Sequence, residues 1–130
     1  MNIKRMAEDY RKGSITTGRN IKRYFSEGIG VGAKSPSISL LQQNVGNWIK
    51  RLEAAGVDNL ELLESSWQIV RQTNEDICRG KKKCLDRIVT EEHVSQIKKA
   101  EKEFDKFLKA LPELLEQALT RAVRESGIRL

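Results

Sequence analysis

Long hydrophobic runs are missing from this chain: no stretch of apolar residues is longer than two. A membrane-spanning helix needs about 20 consecutive, mostly apolar residues, and a buried parallel strand needs a continuous apolar run. Both are excluded. The opening MNIKRMAEDY has no apolar h-region, so a secretory signal is not expected. Aromatics make up 5% of residues, too few and too scattered for the base-stacking platforms of single-strand binders. The chain has one histidine, two prolines and two cysteines. One imidazole, and no acids isolated on apolar faces, leave no Ser/His/Asp set or carboxylate pair to propose. A non-enzyme without cofactor or metal is expected. His93, in the first turn of an expected helix, reads as a solvated surface group.

Charge is plentiful and unevenly spread. Residues 1–35 hold eight bases (Lys4, Arg5, Arg11, Lys12, Arg19, Lys22, Arg23, Lys34) against three acids (Glu8, Asp9, Glu27). The whole chain carries +6, so five of those six surplus charges lie in its first quarter. A basic segment on a balanced body suits a chain that grips a polyanion with one part and folds or assembles with the other. At 130 residues, one domain plus a tail is expected, burying roughly two-thirds of its unfolded surface.

The punctuation predicts helices nearly throughout. Ile3, Met6, Ala7 and Tyr10 share one helical face, and Gly13 is expected to end that segment. A second short helix is expected from about Gly18 to Glu27, with Ile21, Tyr24 and Phe25 opposite Arg19, Lys22 and Arg23. Residues 28–34, GIGVGAK, read as a flexible or closely packed connection. Ser35-Pro36 then signals a helix start. Its stripe is Ile38, Leu41, Val45, Trp48, Ile49 and Leu52, stopped by Gly56.

Asp58 with Glu61 predicts a capping box, with Val57 and Leu62 as its hydrophobic staple. The next stripe is Leu60, Leu63, Trp67, Val70 and Ile77, ending at Gly80. A three-residue link makes this helix an antiparallel neighbour of the one before. After the basic connection KKKCLDRI, Thr90 is the next N-cap, with Glu91 and Glu92 at the positive end of the helix dipole. Val94, Ile97, Phe104, Phe107, Leu108 and Leu111 follow. Pro112 either kinks this helix or opens another, which carries Leu115, Ala118, Leu119, Ala122 and Val123 to Gly127. The expected fold is all-α: an antiparallel four-helix bundle over 36–130, preceded by a basic helical N-terminal arm and Gly-rich linker over 1–35.

Two stretches imitate known chemistry. GIGVGAKS, residues 28–35, matches a phosphate-binding P-loop except that Ala33 replaces the last glycine. A P-loop needs a buried strand before it and a helix N-terminus after it; the segment before this one reads as basic helix, so a linker is the expected role. NVGNWIKRLEAAGV, residues 44–57, looks like the recognition helix of a winged helix-turn-helix regulator. The wing should then be a β-hairpin, yet NLELLESSW reads as helix, and Trp48 and Ile49 belong to the core stripe.

Cys78 and Cys84 flank Arg-Gly-Lys-Lys-Lys. With His93 they make three soft ligands at a spacing that matches no familiar closed zinc site. Two free thiols suit an intracellular protein, whereas a Cys78–Cys84 disulfide suits a secreted, virion or hyperthermophile protein. Both stay open.

The regular spacing of Ile3, Met6, Tyr10, Ile21, Tyr24 and Phe25 sets the basic segment apart from a solvating tail. Apolar and basic faces on the same helices suit an element that docks on protein with one side and on phosphates with the other. Such binding needs no base-reading side chains.

A small all-α chain with a basic helical arm (1–27), a linker (28–35) and a bundle (36–127) resembles the major coat proteins of filamentous archaeal viruses, the rudivirus, lipothrixvirus and tristromavirus lineage. In that family the arms wrap linear double-stranded DNA and hold it in the A form. Subunits pair as homodimers, or as heterodimers of two related coat proteins, and stack into a helical filament. The resemblance implies that Lys4, Arg5, Arg11, Lys12, Arg19, Lys22, Arg23 and Lys34 contact DNA phosphates. It also implies a virion location, a partner in the same or a related coat subunit, and a Cys78–Cys84 bridge suited to a hyperthermophilic host. Without it, a cytoplasmic helix-turn-helix regulator or a helical protein-interaction module remains as the alternative.

Overall fold

A computed structural model describes residues 3–79 and 87–126, with backbone alone for residues 3, 4, 6, 7 and 126. Its described residues form α1 (Ile3–Arg23), α2 (Pro36–Ala54), α3 (Glu61–Ile77) and α4 (Glu91–Ser126). A π-helical turn, Tyr24–Gly28, continues α1. The described residues contain no strand, and a single antiparallel bridge joins Lys34 to Ile88. The fold is all-α.

The α2 helix matches its pattern residue for residue, since all six stripe positions from Ile38 to Leu52 are buried. Pro36 occupies its first turn, although Ser35 makes no side-chain capping bond; the Ser37 hydroxyl instead donates to the Lys34 carbonyl at 2.8 Å. At its other end Gly56 adopts φ +81°. The Val57 N–H reaches the Leu52 carbonyl and the Gly56 N–H reaches the Glu53 carbonyl, each at 3.0 Å. These two bonds make a Schellman motif, and burial of both Val57 and Leu52 completes it.

The capping box expected next does not form. The α3 helix starts at Glu61 with Leu60 at its N-cap and no side-chain cap. Asn59 takes φ +62°, which turns the chain before α3 can begin. Asp58 is drawn instead to Arg121 of α4, at 2.8 Å. The link between α2 and α3 is therefore residues 55–60, longer than expected. Leu63, Val70 and Ile77 of α3 are buried as predicted, together with the small hydroxyls Ser66 and Thr73. Ser66 donates to the Ala100 carbonyl at 2.8 Å, and Thr73 bonds both the Ile69 carbonyl and Gln96 Oε1. Hydroxyls satisfied in this way can lie in the α3–α4 contact without the penalty of an unpaired group. The Cys78–Cys84 expectation lies outside the described residues, because Cys84 falls within 80–86; Cys78, at the end of α3, is not a free thiol.

Thr90 caps α4 by an arrangement that changes the reading of His93. The Thr90 N–H donates to His93 Nδ1 at 3.1 Å, while Thr90 Oγ1 faces the His93 N–H at 3.4 Å. This is a capping box with imidazole in the place of the usual carboxylate. Replacing Thr90 by alanine should lower stability by about 1 kcal/mol, measured by urea denaturation. Beyond it, α4 runs unbroken through Pro112. Pro112 does not open a new helix: Leu111, Leu114, Leu115 and Ala118 are buried on both sides of it, so packing holds the axis where the ladder loses a donor.

The largest departure concerns residues 1–35. Gly13 does not end a helix, and the two short helices expected there are one α1 that passes through both Gly13 and Gly18. Ile21, Phe25 and Ile29 lie in the same core cluster as the residues of α2, α3 and α4. The core thus takes residues from both sides of position 35. The GIGVGAKS connection is likewise tied down: the Gly32 N–H donates to the Val89 carbonyl, the Val89 N–H to the Ala33 carbonyl, and the Ser35 N–H to the Arg87 carbonyl, at 2.8–2.9 Å.

The elements meet in a consistent order. Along α1 and α4, Arg11 pairs with Glu116, Lys22 with Asp105 and Ser26 with Glu101. Between α2 and α3, Ser39 and Gln42 bond Asn74, and Trp67 Nε1 donates to the Gln42 carbonyl. Phe104 sits at the centre, 5.0 Å from the Phe25 ring and 5.6 Å from the Trp48 ring.

Candidate nucleic-acid interface

Burying one face of α1 dictates where its cations go. Ser14, Gly18, Ile21 and Phe25 face inward. Arg5, Lys12, Arg19 and Arg23 recur at spacings of seven, seven and four, which brings them to one line along a 3.6-residue helix. All four are exposed. With a rise of 1.5 Å per residue, the line from Arg5 to Arg23 extends about 27 Å. The helix therefore shows one apolar face to the core and one basic row to solvent.

The remaining sequence candidates are placed differently. Arg11 and Lys22 lie at the seam with α4, where Arg11 approaches Glu116 at 3.9 Å and Lys22 bonds Asp105. Their charge is partly neutralised. Lys34 is exposed in the connection after α1, next to its bridge partner Ile88. The side chain of Lys4 lies outside the described residues. Sequence reasoning missed the acids Glu101, Asp105 and Glu116 that face α1. No local signal could have shown them, since Lys22 and Asp105 stand 83 positions apart.

Asp105 is the joint of this seam. The Lys22 hydrogen bond holds its carboxyl below the ordinary value against an opposing effect of burial, and the charges of Lys22 and Lys109 lower it further. A carboxyl lowered on folding stabilises the native state above its unfolded value, near 3.9, and that contribution fades as pH falls through the folded value. Both partners are partly solvated, which keeps the effect small. Asp105→Asn should thus be less stable than the parent at about pH 7, with the gap narrowing as pH falls below about 4, as urea denaturation across that range would show.

The near-P-loop offers no phosphate cradle. Its Gly32, Ala33 and Ser35 N–H groups already donate to the Val89, Gly30 and Arg87 carbonyls, whereas a cradle needs free N–H groups converging on the anion. The helix-turn-helix lookalike fares similarly. Trp48, Ile49 and Leu52 are buried, Asn44, Asn47, Lys50 and Arg51 are exposed, and α3 rather than a hairpin follows. No group of three or more metal-ligating side chains occurs among the described residues, and no described helix is long and apolar enough to cross a membrane. No protein-family model, curated protein or solved structure matches this chain.

Proposed function

We propose that the chain is a structural, sequence-independent double-stranded DNA-binding protein that assembles as the coat subunit of a filamentous virion. The observation that carries this reading is the exposed row Arg5, Lys12, Arg19 and Arg23 on a helix whose other face is built into the core. A line of cations along one helix suits phosphate contact, which needs no base recognition. In this reading the four helices pack antiparallel. Supporting that, residue numbers rise along α1 as those of its partners fall along α4, and the α2–α3 contacts behave alike. The basic element stays docked on the bundle, and its partners are duplex DNA and further copies of the same or a related subunit.

Fluorescence anisotropy with unrelated linear duplexes tests the binding. The four cations of this row alone contribute about 3.6 to the log–log salt slope, so affinity should fall at least about a hundredfold between 50 and 200 mM salt. Sequence should matter little. The fourfold variant Arg5→Gln, Lys12→Gln, Arg19→Gln, Arg23→Gln should flatten that slope while keeping its helical circular dichroism. Strong preference for one duplex would favour the regulator reading through the exposed face of α2, and no binding at low salt would favour a protein-interaction module. Assembly is tested by electron microscopy of the protein with linear DNA, where regular filaments are expected and their absence would remove the coat role.

A further inference from the structure

Resting on that reading, we infer that the duplex-binding surface is not confined to α1 but continues onto α4, where Lys98, Lys102, Lys106 and Lys109 form a second basic row. Their spacings of four, four and three keep them on one helical face, and all four are exposed. By sequence they lie in the charge-balanced part of the chain, amid Glu101, Glu103 and Asp105. Tertiary packing turns Glu101 and Asp105 toward α1, while Lys106 and Lys109 keep ion pairs with Glu103 and Asp105. Glu101 accepts from Ser26 at the α1 seam, Asp105 bonds Lys22, and Glu103 lies toward the half-buried side of the helix, with Lys106 at 3.7 Å.

Asp105 shows that the lysine row and the α1 row flank the same seam. One of its oxygens meets Lys22 of α1 and the other meets Lys109 of α4, at 3.5 Å. Arg19 and Arg23 stand within one turn of Lys22, as Lys102, Lys106 and Lys109 stand within one turn of Asp105. Six cations from two helices thus surround one carboxylate. Packed helices lie about 8–10 Å apart axis to axis, so the two rows form one composite face. The α4 row extends about 17 Å. Over the roughly 27 Å of the longer α1 row a duplex presents about sixteen phosphate charges, at one per ~1.7 Å of axis, about twice the eight cations of the two rows.

The test is duplex binding by the full chain carrying Lys98→Gln, Lys102→Gln, Lys106→Gln and Lys109→Gln, with anisotropy read on a 30-base-pair duplex across a salt series. Eight contacts predict a parent slope of about 7, falling to about 3.6 in this variant. A charge-matched control outside both rows, Lys50→Gln, Arg71→Gln, Arg79→Gln and Arg87→Gln, should keep the parent slope. Asp105→Asn should bind tighter than the parent, because it releases Lys22 and Lys109 and removes an anion from the face. If the parent binds but the α4 variant keeps its affinity and slope, or the control loses as much, the α4 row is not part of the site and only the α1 reading survives. If the parent itself shows no salt-dependent duplex binding, the reading beneath it fails.

Discussion

Phe104→Ala should lower stability by about 3–5 kcal/mol, the usual cost of removing a fully buried aromatic ring. Phe104 has no solvent exposure, and its ring meets Phe25 beyond the end of α1 and Trp48 of α2. Deleting it leaves a cavity at the point where three segments converge. Trp48 cannot readily collapse into that space, since its ring also packs edge-on against Phe107 at 5.6 Å. The indole N–H of Trp48 meets no acceptor among the described residues, so the ring is held there by its apolar surface alone. A domain of this size is stable by about 5–15 kcal/mol, so the variant should melt roughly 10–20 °C below the parent. A loss under about 1 kcal/mol in urea denaturation would mean that the three segments do not share this core.

Two glycines of α1 should respond to alanine with opposite signs. A Cβ at Gly18 would lie 2.5 Å from Leu108 Cδ2 and 2.8 Å from Trp48 Cη2. Leu108 can rotate away, but Trp48 is fixed between α1 and two phenylalanine rings. Overpacking of this kind costs about 1–3 kcal/mol, more than the ~1 kcal/mol that alanine returns in helix propensity. Gly18→Ala should therefore destabilise the fold. At Gly13 a Cβ meets nothing within 4 Å, so Gly13→Ala should stabilise it by about 0.5–1 kcal/mol. Paired denaturation curves decide the matter: equal gains from both substitutions would show that α1 does not sit closely against Trp48 and Leu108.

These glycines mark where sequence reasoning went astray. Gly13 and Gly18 look like helix breaks because glycine has low helix propensity, yet propensity is a weak preference that packing overrides. Gly18 is accepted because only a hydrogen fits beneath the Trp48 ring. Asp58 with Glu61 has the spacing of a capping box, but the competing partner Arg121 lies 63 positions away and outside any local pattern. His93 looked idle because the usual capping residue at that position is a carboxylate, not an imidazole.

The sequence by itself determined the helical class, the inward residues of α2, those of α3 and α4 in part (Ala122, expected on the apolar stripe, is exposed), the glycine stop at Gly56 and the concentration of positive charge near the N-terminus. Each of these depends on neighbours within a few positions, through the 3.6-residue period or the φ freedom of one glycine. Tertiary structure decided the rest. It joined two expected helices into α1 and drew Ile21, Phe25 and Ile29 into the common core. It also drew Arg11 and Lys22 of the N-terminal cations to acids of α4. Contacts between residues about 80 positions apart control those outcomes, and they exist only once the chain has closed on itself.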